Sequence, residues 1–225
     1  MNIGFVVAMD SEWAPFLDKF GPLVETQVVC GIEFCRFSFK DKSVFLAKCG
    51  IGEIAAASAT SVLIGHFGCG YIVNFGLVGA LGSRIPSGAP VLVRDVVHYD
   101  SDITAFGHPL GAAADMASPF VSADPRLVAL VSGEFSLPAL RLASGDKFVS
   151  DESFSKKIIS DFSADICDME GAGIALTCAR SGVPFTMVKL VSDGADEGAV
   201  SSFEDSKQRI VSGCFDIVLF VIERI

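Results

Sequence analysis

Short apolar runs rich in β-branched residues alternate along the chain with longer segments in which apolar positions recur every three to four residues. The first pattern is typical of buried strands, and the second is typical of helices with one apolar face. The pattern predicts strands over residues 2–8, 28–35, 43–48, 71–75, 90–98, 139–143, 166–169 and 184–191. It predicts helices over residues 11–20, 53–67, 125–133, 151–162, 170–181 and 202–223.

Two segments between these elements differ from the rest. The glycine-rich run Gly76–Ala80 follows a predicted strand and is interpreted as a turn, whereas residues 100–122 form a loop rich in Gly, Ala and Pro. Strands that alternate with helices favour a parallel or mixed sheet flanked by helices. Since no repeat or linker interrupts the pattern, we expect one α/β domain over residues 1–225, with a central mixed β-sheet flanked by helices.

The composition raises the question of a membrane segment, because 51% of the 225 residues are hydrophobic and only 20% are charged. A membrane-spanning helix needs about 18 consecutive apolar residues, and the run Ile217–Ile222 is far shorter. The apolar stretch Ile3–Met9 lacks a basic leader and runs into Asp10 and Glu12, unlike a secretory signal. We therefore expect a cytoplasmic protein whose apolar residues fill a core or a subunit interface.

Charge and reactive side chains narrow the classes of function further. A formal charge of −10 without a cluster of Lys and Arg argues against nucleic acid as a partner. The seven cysteines form no CxxC pair and mostly lie in apolar runs, which predicts buried, reduced thiols. With three histidines and no Cys/His cluster, the sequence predicts no metal site.

Acidic side chains lie just past several predicted strands, namely Glu12, Asp146, Glu170 and Asp193. Ligands of open α/β sheets bind at the carboxyl ends of the strands, so these acids are candidates for one site. No Ser-His pair accompanies them, which argues against a serine triad. Convergent carboxylates suit general acid–base chemistry on a polyol or a glycosidic bond.

Each of these features also has a plain structural explanation. A single Asp or Glu after a strand is more often a helix cap or a solvated loop residue. The run Gly76–Ala80 is neither a GxGxxG motif nor followed by Lys-Ser or Lys-Thr, so it is not a phosphate-binding loop. It is either a tight turn or a place where the backbone approaches a small ligand.

At these residues the sequence resembles the 5′-methylthioadenosine/S-adenosylhomocysteine nucleosidases of the purine nucleoside phosphorylase/nucleosidase superfamily. The resemblance implies hydrolysis of the N-glycosidic bond of an adenine nucleoside that carries a 5′-thioether, with no metal or organic cofactor. The matching segments follow the family's order and spacing over nearly the whole chain: IGFVVAMDSEW (3–13), KCGIGEIAAA (48–57), NFGLVGALG (74–82), DSDITAFG (100–107), SGDKFV (144–149), DMEGAGIA (168–175) and LVSDGAD (190–196).

The resemblance implies a division of roles between two carboxyl groups. Glu12 would activate the attacking water, and Asp193, positioned by Ser192, would protonate the leaving purine. Because purine is a poor anionic leaving group, Asp193 must hold a proton near neutral pH. Glu12 must instead stay ionised in order to accept a proton from water.

The resemblance also implies a homodimer and a set of substrate contacts. Phe106 lies on a loop that reaches across to the neighbouring subunit in the family. The implied contacts are Met169 and Glu170 with the ribose, Phe148 and Val149 with the base, and Met9, Ile51 and Phe203 with the 5′-alkylthio group.

The chain departs from the family pattern at three places. Leu77 stands where Ser or Thr usually contacts the nucleophile or the ribose. We therefore expect Leu77 to lie in the substrate site but to lack the polar contact of a hydroxyl group. Lys189 replaces a common Arg. Residues 107–122, which help to form the 5′ pocket, match poorly.

Phosphorylases of the same superfamily are one alternative function. They hold phosphate with arginines, and one of these precedes the glycine-rich run, where this chain has Asn74. Glu12 would also repel an anion, so the sequence favours water over phosphate as the nucleophile.

Two further alternatives share the motifs. One is a nucleosidase for futalosine, aminodeoxyfutalosine or another purine nucleoside. The other is a nucleoside-binding protein without catalysis, which Leu77 supports. The joint presence of Glu12, Glu170 and Asp193 argues against such a protein, because a binder has no need for all three.

Overall fold

The computed structural model describes residues 1–17, 20–82, 85–206 and 214–225. Its strands are β1 (Asn2–Val7), β2 (Leu23–Val29), β3 (Ile32–Phe39), β4 (Lys42–Lys48), β5 (Tyr71–Ala80), β6 (Pro90–His98), β7 (Phe120–Ser122), β8 (Ala139–Ser144), β9 (Ile166–Asp168) and β10 (Phe185–Asp193). Its helices are α1 (Asp10–Leu17), α2 (Glu53–Gly65), α3 (Pro125–Phe135), α4 (Glu152–Phe162), α5 (Gly171–Ser181), α6 (Ala199–Ser206) and α7 (Phe215–Arg224).

The described strands form one mixed sheet in the order β10-β6-β8-β9-β5-β1-β4-β3-β2, with β7 paired to β6. Strand β10 also pairs with β5 in parallel, while it pairs with β6 antiparallel. Because β6, β8, β9 and β5 are linked in turn, these strands and β10 close into a ring. The predicted mixed α/β architecture is confirmed.

Helices cover both faces of the sheet around β1 and β5. On one face, Phe5 of β1 packs edge-on against Phe16 of α1, which in turn meets Phe215 of α7. On the other face, Val6 packs in a separate core with Ala56 of α2. Successive strand residues point to opposite faces, so the uninterrupted apolar run of β1 serves both cores. Parallel strands that are buried on both faces are expected to have such continuous apolar sequences.

The single strand predicted over residues 28–35 is wrong, because these residues are the facing ends of β2 and β3. Cys30 and Gly31 join the two strands and both have positive φ, at 53° and 77°. Val29 pairs with Ile32 across this two-residue loop. Paired positive φ values are those of a tight hairpin turn, which the apolar run of the sequence conceals.

The glycine-rich turn predicted at residues 76–80 is also wrong, because this run is the second half of β5. Leu77 pairs with Leu190 of β10, and Gly79 pairs with Cys167 of β9. A Cβ at Gly79 would lie 2.9 Å from an oxygen of Asp193. The glycine therefore permits a close approach between strands rather than a change of direction.

The first helix, the C-terminal helix and the loop over residues 100–122 also differ from their predicted form. The predicted helix over residues 202–223 corresponds to parts of α6 and α7, and residues 207–213 between them lie outside the described residues. Residues 18–19 of the predicted first helix also lie outside them. The loop over residues 100–122 contains one turn of 3-10 helix at Thr104–Phe106 and ends in β7. None of the helices in the described part of the chain is long and apolar enough to span a bilayer.

Candidate active site

A cleft opens beside the carboxyl ends of β1, β5, β9 and β10, and it holds about 580 Å³ of empty space that includes open solvent. A cleft in this position is where open α/β sheets bind small-molecule ligands. Its wall is formed by Ala8, Met9, Glu12, Ile51, Leu77, Val78, Gly79, Lys147, Phe148, Val149, Cys167, Asp168, Met169, Glu170, Ser192, Asp193 and Phe203.

The structure brings nearly all of the sequence-predicted site residues together in this cleft. Phe106 is the exception, since its side chain is 82% exposed on the 3-10 turn and does not contribute to the wall. Asp146 also lies outside the wall and accepts a 2.8 Å hydrogen bond from the backbone N–H of Glu53 at the start of α2. The plain explanation of Asp146 as a helix cap therefore fits its contacts.

Glu12 lies in the first turn of α1 and is 2% exposed. Its Oε2 accepts hydrogen bonds from the backbone N–H groups of Ala8 and Met9, at 2.9 Å and 3.1 Å. Its Oε1 accepts a 3.0 Å bond from the N–H of Leu77 on β5. Burial raises the pKa of Glu12, although these bonds and the charge of Lys189 act in the opposite direction. A carboxylate with a raised pKa and a fixed orientation is suited to accept a proton.

Asp193, at the end of β10, is 6% exposed and has different partners. Its Oδ2 lies 2.6 Å from Ser192 Oγ, and its Oδ1 accepts a 2.9 Å bond from the N–H of Ala195. Burial is the largest influence on the pKa of Asp193 and raises it above the ordinary value. Burial favours the neutral form of a carboxyl group, so Asp193 is suited to donate a proton.

Glu170 directly precedes α5 and reaches toward the start of α2. Its Oε1 accepts a 2.9 Å hydrogen bond from the backbone N–H of Gly52. Burial, followed by the negative charge of Asp168, raises the pKa of Glu170 to about 7. Its carboxylate is thus an acceptor on the wall of the cleft, which also carries the aromatic pair Phe148 and Phe203, whose ring centroids are 5.7 Å apart.

An ion pair between Lys189 and Asp168 lies at the wall of the cleft, and the sequence pattern did not identify Asp168 as a site residue. Lys189 Nζ donates to Asp168 Oδ2 at 2.6 Å, and both side chains are 1% exposed. A Cβ at Gly76 would lie 3.2 Å from Lys189 Nζ and 3.3 Å from Glu12 Oε1. The ammonium and the Glu12 carboxylate therefore face the same point of β5.

A sequence signal for this pair exists in the apolar run of β10. Lysine is almost never fully buried without a partner, so Lys189 within the run Phe185–Val191 requires an acid nearby. The sequence does not identify that acid, because Asp168 is contributed by a different strand. Lys147, also missed, belongs to the wall of the cleft.

The acidic residues of the site do not assemble into a metal centre. Within the residues that the structure describes, no group of three or more His, Cys, Asp or Glu is arranged to hold a metal ion. The site instead offers one carboxyl group suited to accept a proton, one suited to donate a proton, and an acceptor between apolar walls.

Comparisons with known proteins agree over almost the whole chain. The model of the Phosphorylase superfamily matches residues 2–223. A 5′-methylthioadenosine/S-adenosylhomocysteine nucleosidase of Shewanella halifaxensis is 32% identical over 212 residues, which cover 91% of each chain.

Two solved structures from Helicobacter pylori superpose closely. One is a futalosine hydrolase mutant, with a TM-score of 0.94, 28% identity and 100% coverage of both chains. The other is a 5′-methylthioadenosine/S-adenosylhomocysteine nucleosidase with butyl-thio-DADMe-Immucillin-A, with the same TM-score and identity, covering 100% of this chain and 99% of that one. The likeness thus extends well beyond the motifs at the cleft.

Proposed function

We propose that this chain, which belongs to the phosphorylase superfamily and within it to the 5′-methylthioadenosine/S-adenosylhomocysteine nucleosidases, hydrolyses the N-glycosidic bond of these nucleosides and releases adenine. The main support is that Glu12 and Asp193 are both buried in one cleft but have different partners. Two carboxyl groups in different environments are what an acid and a base on one substrate require.

In the proposed reaction, the bond between the anomeric carbon and purine N9 breaks and its electron pair moves into the purine. The transition state resembles an oxocarbenium ion. Asp193 donates a proton to N7 of the purine, so that adenine leaves as a neutral molecule. Water attacks the anomeric carbon and transfers a proton to Glu12. The products are adenine and the free thioribose.

Lys189 supports the ionised form of Glu12. Its ammonium is held by Asp168 at 2.6 Å and lowers the pKa of Glu12 against the effect of burial. Burial also opposes the charge on Lys189, but Asp168, Glu170 and Glu12 outweigh it and raise the pKa of this lysine. The positive charge is therefore permanent at neutral pH and stabilises the base.

The remaining wall divides into sites for the parts of the nucleoside. We propose that Met169 and Glu170 contact the ribose and that Phe148 and Val149 contact the base. The side chains proposed to contact the 5′-thioether group or the adjoining edge of the ribose are Met9, Ile51, Leu77 and Phe203. Met9, Ile51, Leu77 and Phe203 present apolar surface, which suits an alkylthio group better than a charged one.

Water is favoured over phosphate as the nucleophile by the charge of the cleft. Asn74, which stands in place of a phosphate-binding arginine, donates to Val6 O at 3.0 Å and Phe75 O at 3.2 Å, so the donors of its amide are used within the sheet. Among the described residues, the wall carries four acidic side chains against the single Lys147, and the buried Lys189 is already paired with Asp168. A phosphate dianion would meet repulsion here.

Futalosine hydrolysis is the second candidate, because the futalosine hydrolase of H. pylori superposes as closely as the nucleosidase does. Incubating the purified chain with 5′-methylthioadenosine, S-adenosylhomocysteine, futalosine and adenosine, and measuring release of the base, tests both candidates. We expect fastest release from the thioether nucleosides. Preference for futalosine would replace the first candidate by the second, and binding without release would indicate a non-catalytic binder.

A homodimer and a cytoplasmic location complete the proposal. Ile51, Ile54 and Phe106 are 60%, 79% and 82% exposed, and a protein partner that covered them would bury apolar surface. We propose that this partner is a second copy, whose Phe106 would close the 5′ side of the cleft. All seven cysteines are free thiols, which fits a reducing compartment.

A further inference from the structure

Glu53, the first residue of α2, lies behind the cleft wall and is 6% exposed. Its Oε1 lies 2.5 Å from the hydroxyl oxygen of Ser144 on β8, and that oxygen lies 2.5 Å from Asp168 Oδ1. Its Oε2 accepts a hydrogen bond from the backbone N–H of Gly173 in α5. Ser144 is thus held between two buried carboxyl groups.

The hydrogen count of this arrangement requires an additional proton. A serine hydroxyl has one hydrogen to donate, so it serves one carboxyl group, and the other short contact needs a hydrogen from the second carboxyl group. Asp168 also accepts from Lys189 Nζ at 2.6 Å and from Gly171 N–H at 3.1 Å. These contacts stabilise an anion at Asp168. The carboxyl group that holds the proton is therefore Glu53.

We propose that Glu53 is a positioning residue for the nucleosidase reaction, held as a neutral carboxylic acid that donates to Ser144 and so completes the chain Glu53–Ser144–Asp168–Lys189. The proposal rests on the proposed function. In this chain Glu53 Oε1 donates to Ser144 Oγ, Ser144 donates to Asp168, and Asp168 holds the ammonium of Lys189. Lys189 in turn faces the same point of β5 as Glu12.

The surroundings of Glu53 favour its neutral form. Burial, followed by the charge of Asp168, raises the pKa of Glu53 to about 8. Its ionisation would add another negative charge to a cluster that already contains three other carboxyl groups and a single ammonium. The titratable groups that face it are Asp168 on β9, Glu170 before α5, Asp146 after β8, Tyr99 after β6 and, through Asp168, Lys189 on β10.

Glu53 and Glu170 are linked through the starts of α2 and α5. Gly173 N–H, near the start of α5, binds the Glu53 carboxyl group, while Gly52 N–H, at the start of α2, binds the Glu170 carboxylate at 2.9 Å. The start of each helix thus binds an acidic side chain from the start of the other helix. Loss of the Glu53 contact would shift both the ion pair of Lys189 and Asp168 and the proposed ribose acceptor Glu170.

The substitution Glu53→Gln tests the proton directly, because a Gln amide, like a neutral carboxylic acid, has a donor on one branch and an acceptor on the other. Its oxygen accepts from Gly173 and its NH₂ donates to Ser144. Glu53→Ala removes both contacts. Glu152→Gln is the matched control, since Glu152 is also the first residue of a helix but has an exposed side chain.

The first measurement compares melting temperatures of wild type and E53Q from about pH 5 to about pH 9. The pKa of Glu53 is raised from 4.5 to about 8 by folding. Its contribution to stability is therefore complete below pH 4.5 and is lost as the pH rises through 8. We expect E53Q to gain stability relative to wild type across this range, and E152Q to show no such trend.

The second measurement is turnover of 5′-methylthioadenosine at neutral pH. We expect E53A to lose about tenfold to a hundredfold in kcat through misplacement of the site, and E53Q to restore most of this loss. A constant melting difference between E53Q and wild type would overturn the proposal, as would E53Q being as inactive as E53A when wild type is active. The melting comparison needs no substrate, so a failure of the proposed function gives a different result from a failure of this inference.

Discussion

The carboxylate of Glu12 accepts a 3.0 Å hydrogen bond from the backbone N–H of Leu77. Because the contact uses the main chain, it does not depend on the side chain at position 77. Backbone N–H groups of Ala8 and Met9 hold the second oxygen. The ends of β1 and β5 therefore orient the proposed base, and the loss of a hydroxyl at Leu77 leaves this orientation intact.

Glu12→Gln should remove the base while keeping the acceptor oxygen and the shape of the side chain. We expect kcat to fall by about 10²- to 10⁴-fold, because an amide does not accept a proton from water. Asp10→Asn is the control, since Asp10 lies on the same helix with an exposed carboxylate. Steady-state kinetics with 5′-methylthioadenosine measure the effect, and equal activity of E12Q and D10N would exclude Glu12 as the base.

Asp193→Asn should abolish protonation of the leaving purine while leaving the cleft occupied by a side chain of the same size. Turnover should fall by about 10²- to 10⁴-fold, with nucleoside affinity close to that of wild type. Single-turnover kinetics and calorimetry separate the two quantities. Asp196→Asn, an exposed neighbour that accepts from Gly198 N–H, serves as the control. Near-normal turnover by D193N would remove the argument for an acid at this position.

Lys189→Met should destabilise the fold, because it leaves Asp168 buried without its ammonium partner. Breaking a buried ion pair on one side costs about 3–5 kcal/mol, measured here as the free energy of unfolding in urea. Lys48→Met breaks an exposed pair with Asp10 and should have a much smaller effect. If K189M and K48M were equally stable, the ion pair would have no role in holding the site.

Phe106→Ala should weaken both the dimer and the substrate complex if this side chain enters the neighbouring cleft. Burying a Phe side chain contributes about 1.5–3 kcal/mol, and a symmetric dimer buries two copies of it, so the dimer dissociation constant should rise by about 10²- to 10⁴-fold. Analytical ultracentrifugation gives this constant, and KM should rise with it. Val28→Ala removes a 68% exposed apolar side chain on β2 and provides the control. A monomeric wild-type chain with unchanged KM in F106A would contradict the dimer proposal.

Much of the site follows from the sequence because its residues lie where apolar strands end. Glu12, Glu170 and Asp193 follow β1, β9 and β10 closely, so a local pattern places them at one edge of the sheet. The resemblance then separates these acids from Asp146, which the structure places as a helix cap. Local pattern and motif order together identify many residues of the cleft wall, but they miss Lys147 and Asp168.

The supporting contacts do not follow from the sequence, because they join segments far apart in the chain. Ser144 lies 91 residues from Glu53, and Asp168 lies 21 residues from Lys189. No periodicity marks such a pair. The extension of β5 through Gly76 is hidden for a related reason, since a glycine-rich run is typical of a turn and becomes a strand here only through pairing with β10.

The identity of the sugar product in the presence and absence of phosphate tests the central claim most directly. Purified chain is incubated with 5′-methylthioadenosine in phosphate-free buffer and, in parallel, with added inorganic phosphate, and the products are identified by mass spectrometry. The proposed mechanism predicts adenine and free methylthioribose at the same rate in both buffers. A phosphate requirement, with a sugar 1-phosphate as the product, would contradict it.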